Sequence, residues 1–205
     1  MIKNLIFDVG SVLIGYRVME MLTDYGLETE DAQRVAQEVF DNSRWTDFDS
    51  GRISMEELIA SYKKDFPHDA EHIDYFLNHM ELLNVDRPEV WEKVVELRKR
   101  GYRIYILSNY SEVLYNIHTR NMYIRDCCDG KVISYETGTV KPDPRIYNEL
   151  LSRYDLNPAE SVFFDDRQAN TEAAKALGIK SYTISSREHI NELLDKLLSD
   201  DESIQ

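Results

Sequence analysis

The chain has 205 residues, 42% hydrophobic and 11% aromatic. That is enough to bury a core without disulfide staples and too apolar for a disordered segment. Lys and Arg number 24 against 38 Asp and Glu, a net charge of −14, and a field of that sign repels phosphodiester backbones, so nucleic acid is not an expected partner. No apolar run approaches the ~18 residues of a membrane span.

The chain opens on MIKNLIFDVG, where Leu5-Ile6-Phe7 reads as a short strand that ends in Asp8. A secretory leader needs a basic n-region, a longer apolar stretch and a cleavage site, so a cytoplasmic location is expected. From about 16 to 88 the apolar residues recur at helical spacing, as in Val35, Val39 and Phe40 or Ile73, Phe76 and Leu77, with no convincing buried strand. Arg87-Pro88 then opens a helix, Val90, Val94 and Leu97 line its face, and Gly101 ends it. Ile104–Leu107 is the next strand, followed by Ser108-Asn109. Cys127 and Cys128 are adjacent, a geometry that disfavours bridging each other and suits reduced thiols.

Lys141 lies in the loop GTVKPDP, and Asp143-Pro144 opens a helix through Ile146 and Leu150. Val162-Phe163-Phe164 reads as a strand ending in Asp165-Asp166, and Asn170–Gly178 as a short helix. Tyr182-Thr183-Ile184 reads as a further strand buried on both faces, and Ser185-x-x-Glu188 as a capping box for the last helix. Beyond Ser199 an acidic tail, 200–205, is expected to fray. Near-continuous apolar strands alternating with helices indicate an α/β fold, a Rossmann-like parallel sheet covered by helices. The sheet domain is expected over 1–15 and 89–199, with a helical insertion over 16–88 after the first strand.

In an open parallel sheet, ligands sit outside the carboxyl ends of the strands. Here those ends deliver Asp8, Ser108-Asn109 and Asp165-Asp166 to one edge, with Lys141 nearby. Singly, each has an ordinary explanation. Strand-end Asp residues form turns, Asn109 with Glu112 makes a capping box, Asn170 caps a helix, and Lys141 is a surface lysine. Together they are less ordinary. Three carboxylates at one edge repel each other unless a cation sits between them, and hard oxygen ligands suit Mg²⁺. A Lys and a Ser–Asn pair beside them are the donors a phosphoryl group needs.

These residues carry a resemblance to the haloacid dehalogenase-like hydrolase superfamily. Its motifs appear in order as Phe7-Asp8-Val9-Gly10-Ser11-Val12-Leu13, Leu107-Ser108-Asn109, Lys141-Pro142-Asp143-Pro144 and Phe163-Phe164-Asp165-Asp166 with Asn170-Thr171-Glu172. The insertion falls where this superfamily's cap domain falls, and Asp49-Ser50-Gly51-Arg52-Ile53-Ser54 resembles a turn between cap helices. Within the superfamily the chain is most similar to bacterial glucose-1-phosphate phosphatases and the phosphatase domain of soluble epoxide hydrolases. The resemblance implies a phosphoric monoester hydrolase with Asp8 as the nucleophile that becomes an aspartyl-phosphate. It implies Mg²⁺ held by Asp8, the Gly10 carbonyl and Asp166, with Asp165 and Asn170 in support. Ser108, Asn109 and Lys141 would bind the phosphoryl group.

One position departs from the family pattern. Phosphatases of the superfamily usually carry a general acid two residues after the nucleophile, where this chain has Gly10. Dehalogenase members also lack that acid, but they lack the acid pair as well, and Asp165-Asp166 is present here. A protein that binds a phosphorylated ligand without turnover is the other alternative. Without an acid at position 10, substrates with acidic leaving groups are expected, above all a sugar 1-phosphate, unless a cap group such as Asp47 substitutes. Tyr16, Arg17, Arg44, Trp45 and Asp47 are the cap residues expected to face this small-molecule phosphate ester, with Arg44 and Trp45 binding it.

Overall fold

The computed structural model describes residues 1–199; the acidic tail 200–205 lies outside the described residues. Asn4–Phe7 form β1, and the chain turns through Asp8 into β2 (Ile14–Tyr16). Five helices follow: α1 (Val18–Asp24), α2 (Thr29–Phe40), α3 (Ser43–Asp49), α4 (Met55–Asp65) and α5 (Ala70–Asn78). A 3₁₀ turn at Met80–Leu82 leads into β3 (Asn84–Asp86), which pairs antiparallel with β2. The helical cap is thus joined to the sheet domain through this two-stranded ribbon.

The remainder alternates. It comprises α6 (Pro88–Lys99), β4 (Arg103–Ser108), α7 (Glu112–His118), α8 (Ile124–Cys127), β5 (Gly130–Ile133) and α9 (Ser134–Thr137). It continues with α10 (Pro144–Arg153), β6 (Ser161–Asp165), α11 (Gln168–Ala176), β7 (Lys180–Thr183) and α12 (Arg187–Leu198). The sheet order is β5-β4-β1-β6-β7, and every pairing in it is parallel. Side chains alternate across it at the strand period. Leu5, Phe7, Ile104, Ile106, Val162 and Phe164 share a core with α6 and α12. Ile6, Tyr105, Leu107, Val132 and Phe163 pack against Ile146, Tyr147 and Leu150 of α10 and Ala174 of α11. This is the α/β architecture expected, with a helical cap after the first strand.

Several local expectations are corrected. β7 begins at Lys180 and is half-buried apart from Ser181, because it is an edge strand with one neighbour. Strand β5, in which only Val132 and Ile133 are apolar, and the three-residue ribbon strands carry too short an apolar signature to announce them. Helix α12 is capped by Ser186, whose side chain accepts from the His189 N–H, and not by Ser185. Helix α7 is likewise capped by Ser111, not Asn109. By contrast, Ser54 and Glu57 form a reciprocal capping box at α4, and Gly51 in the preceding turn has φ +72°, a conformation that favours glycine.

At the other sheet edge, the Tyr154 hydroxyl accepts from the Lys131 N–H (2.9 Å) and donates to its carbonyl (3.0 Å). Its ring lies so close to β5 that a Cβ at Gly130 would stand 2.3 Å from it.

Candidate active site

The site begins at the carboxyl end of the sheet. Parallel register places Phe7 between Ile106 and Phe164, so Asp8, Ser108 and Asp165 emerge at one edge. The loop after β1 is fastened from behind: Arg87 donates to the Ser11 carbonyl (2.6 Å) and the Trp91 indole to that of Leu13 (2.6 Å). Within it Ser11 holds the left-handed conformation, φ 57°.

Lys141 is the buried hub. Its Nζ lies 2.9 Å from Asp8 Oδ1 and 2.6 Å from Asp165 Oδ2, and donates to the Leu107 carbonyl at 2.9 Å. Burial alone would lower its pKa; the carboxylates of Asp165 and Asp8 outweigh that and leave it raised. The surface-lysine explanation therefore fails. Asn109 braces this lysine's backbone, accepting from the Lys141 N–H (2.7 Å) and donating to its carbonyl (3.0 Å). Its side chain is thus occupied, although the residue borders the cavity. Ser108 Oγ donates to Asp8 Oδ1 at 2.5 Å.

Asp8, Asp165 and Asp166 bring carboxylate oxygens within 4.8 Å of one another. Asp165 is fully engaged: it accepts from Lys141, from the Arg167 N–H (2.8 Å) and from Asn170 Nδ2 at both oxygens (2.9 and 3.1 Å). Asn170 is therefore a partner of Asp165 inside α11, not a helix cap. Among the described residues no side chain donates to Asp8 Oδ2 or to the Asp166 carboxylate. Those two groups face the cavity as hard oxygen donors, the set a small divalent cation prefers. Burial first, with Asp165 and Asp166 adding to it, pushes the Asp8 carboxyl up to about 7 against the opposing pull of Lys141 and Ser108. Burial and Asp165 also raise that of Asp166. Acids so crowded fit a site for a cation.

Above this edge lies a cavity of about 370 Å³. Its floor is Asp8, Gly10, Ser108, Asn109, Lys141, Asp166 and Asn170, and its cap side includes Tyr16, Val18, Phe40, Trp45 and Asp49. Trp45 thus reaches the site, packed edge-on against Phe40 and Phe48. Arg44 does not: its guanidinium is paired with Asp65 of α4 at 2.6 and 2.8 Å. Arg17 pairs with Asp24 and Asp47 with Arg52, so neither lines the cavity. Helical phase explains this, since α3 can turn only one stripe inward. Trp45 and Asp49, four apart, share that stripe.

Gly10 has a definite neighbour. A Cβ built there would stand 2.7 Å from the Tyr16 hydroxyl. That hydroxyl is hydrogen-bonded to Tyr110, whose own hydroxyl lies 3.2 Å from His118 Nδ1. His118 Nε2 lies 2.7 Å from the Met80 carbonyl. Asp49, Tyr110 and His118 were missed as site residues.

Residues 2–178 match the haloacid dehalogenase-like hydrolase family. The chain belongs to that family. A D-ribitol-5-phosphate phosphatase of Bacteroides thetaiotaomicron is 23% identical over 89% of the chain and 91% of its own length. A glyceraldehyde 3-phosphate phosphatase of Pyrococcus abyssi is 25% identical over 88% and 80%. Among solved structures, a family enzyme of Bacteroides thetaiotaomicron in complex with magnesium and inorganic phosphate superposes with a TM-score of 0.74. It is 24% identical and the alignment covers 94% of this chain and 99% of that one. Among the described residues, no helix is long and apolar enough to cross a membrane.

Proposed function

We propose that this family hydrolase is a Mg²⁺-dependent phosphomonoesterase acting in the cytoplasm on a small phosphorylated metabolite of the sugar phosphate class. The observation that carries the reading is the junction of Asp8, Ser108 and Lys141 with the acid pair Asp165-Asp166, beneath a cavity of about 370 Å³. Pockets of that size suit a small molecule. Relatives named as phosphatases of a ribitol phosphate and a glyceraldehyde phosphate support the substrate class. The free cysteines Cys127 and Cys128 are consistent with a reducing compartment.

Asp8 is the nucleophile in this reading. Its carboxylate, pinned at Oδ1 by Ser108 and Lys141, attacks phosphorus, and the ester oxygen leaves as the aspartyl-phosphate forms. Lys141 and the Ser108 hydroxyl then face the phosphoryl oxygens, with the Asn109 backbone beside them. Asp8, the Gly10 carbonyl and Asp166 would hold Mg²⁺, which when bound neutralises charge on the transferring group. Asp165 and Asn170 keep Lys141 and the metal loop in place. A haloacid dehalogenase would have no use for the acid pair, because displacing halide needs no cation.

The test is Asp8→Asn, nearly isosteric but unable to form the acyl phosphate. Mg²⁺-dependent hydrolysis of 4-nitrophenyl phosphate should fall by at least about 10⁴-fold with the melting temperature preserved. Turnover within tenfold of wild type would remove Asp8 as nucleophile. A wild type stabilised by phosphate and Mg²⁺ but without turnover on any ester would make the chain a binding protein.

A further inference from the structure

The reading above leaves the leaving group without a proton, since position 10 has no side chain. We infer that Asp49, carried on the cap helix α3, is the catalytic residue that protonates the leaving group and then activates water. This inference rests on the phosphatase reading.

The geometry begins with how α3 is fastened. Asp49 is its last residue, and its carbonyl accepts from Ser134 Oγ. The same Oγ accepts the Tyr110 N–H at 2.8 Å. The end of a cap helix is thereby tied to the loop after β4, and the Asp49 side chain borders the cavity that also holds Asp8, Ser108, Lys141 and Asp166. Asp41 borders it too, but it is exposed at the end of α2.

Tyr16 is the natural rival, because its hydroxyl occupies the space a side chain at position 10 would need. Hydrogen-bond direction excludes it. His118 Nε2 faces a carbonyl, which only accepts, so that nitrogen carries the proton. Nδ1 therefore accepts from the Tyr110 hydroxyl, and Tyr110 in turn accepts from Tyr16. The Tyr16 proton is committed away from substrate. Burial lowers the His118 pKa, which keeps the ring neutral and the chain directed this way.

Asp49 has the acidity for the task. Burial pushes its carboxyl up to about 7; the facing Ser111 N–H, Arg167 and Lys141 pull it down, and Asp8 pushes it further up. Both protonation states are then populated near neutral pH, as acid–base catalysis requires. The proton inventory closes. As Asp8 bonds to phosphorus and the ester P–O bond breaks, Asp49 gives its proton to the departing oxygen, which leaves as an alcohol. Asp49 carboxylate then takes a proton from water, the hydroxide attacks phosphorus, and the Asp8–phosphate bond breaks. Inorganic phosphate departs, Asp8 is again a carboxylate, and Asp49 is again protonated.

This inference changes the substrate expectation: with an acid present, primary alkyl phosphates become competent alongside sugar 1-phosphates. The experiment compares kcat/KM for 4-nitrophenyl phosphate, glucose 1-phosphate and a series of primary sugar phosphates in wild type, Asp49→Asn and Asp49→Glu, with Mg²⁺. Wild type should depend weakly on leaving-group acidity. Asp49→Asn should lose ~10²–10⁴-fold on the primary phosphates and far less in the nitrophenolate burst, which should outrun steady turnover as phosphoenzyme accumulates. Asp49→Glu, which restores a carboxyl, should recover part of the loss and guards against a folding defect. A wild type already steeply dependent on leaving group, equal losses on every ester, or steepening by Tyr16→Phe instead would each overturn the assignment. If wild type hydrolyses none of these esters, the phosphatase reading fails first and takes this one with it.

Discussion

The two walls of the cavity are built on different principles. On the sheet side, each side chain stands at a strand end and is locked by ions or main chain: Asp8 by Ser108 and Lys141, Asp165 by Lys141, Asn170 and the Arg167 N–H. On the cap side, Phe40 and Trp45 present aromatic surface and Asp49 an acid, while Arg44 and Arg34 pair with cap carboxylates away from the cavity. Strand register fixes the sheet side to within a hydrogen bond, whereas the cap's aromatic side chains meet one another by packing alone. The first arrangement suits the chemistry all substrates share and the second the recognition of one of them, apart from Asp49, whose main chain is bonded to Ser134 of the sheet domain.

The sharpest way to break this contrast is at Lys141. Lys141→Met leaves Asp8 and Asp165 buried without their cation, a defect on the order of 3–5 kcal/mol. It should also cost at least ~10²-fold in kcat, since the facing charge is lost. Denaturant melts and single-turnover kinetics measure the two losses, and a stable, active variant would refute the hub.

On the cap side the expected effects are smaller and separable. Trp45→Ala should raise KM about tenfold for a sugar phosphate and less for a small aryl phosphate, the scale of a lost apolar contact. Arg44→Ala should leave both within about twofold, because its partner is the part-exposed Asp65 and not the ligand. Steady-state kinetics on the two substrates would reverse this ranking if Arg44 bound phosphate.

The smallest effect is a pH dependence within the cap. Two hydrogen bonds from Arg34 hold the Asp69 carboxyl at about 2, against burial that raises it and with help from His72. Its folded pKa lies below the unfolded 3.8, so the contribution is full above ~4 and disappears as pH falls toward 2. With Arg34 partly exposed, we expect ~1 kcal/mol. Melts between pH 5 and 2.5 should show wild type losing most of that contribution relative to Asp69→Asn; parallel curves would mean the pair is idle.

The same contrast explains what could be read from the sequence. Asp8, Ser108 and Asp165 each follow or close an apolar strand, and a parallel sheet leaves such residues only one edge to occupy. Lys141 was legible as well, through its loop and as a donor for a phosphoryl group, although not as the partner of Asp8 and Asp165. The cap was harder. Among Arg44, Trp45, Asp47 and Asp49, only helical phase distinguishes inward from outward, and the turn-like sequence after Asp49 masked its place in the helix. Choosing the acid four residues from Trp45, instead of two, would have found it. Tyr110 and His118 carried no signal, because their roles arise from contacts with residues on the far side of the cap connection.

The phenol of Tyr154 has a consequence for how the protein behaves at high concentration. An edge strand offers unpaired amide and carbonyl groups on which another chain can grow. At β5 both outward-facing groups of Lys131 are already bonded to that one hydroxyl, and the ring fills the space where a neighbouring strand would lie. A single side chain thus finishes the sheet at this end. The molecule can carry its apolar interior at high concentration without offering Lys131 of β5 as a template for fibrous self-association.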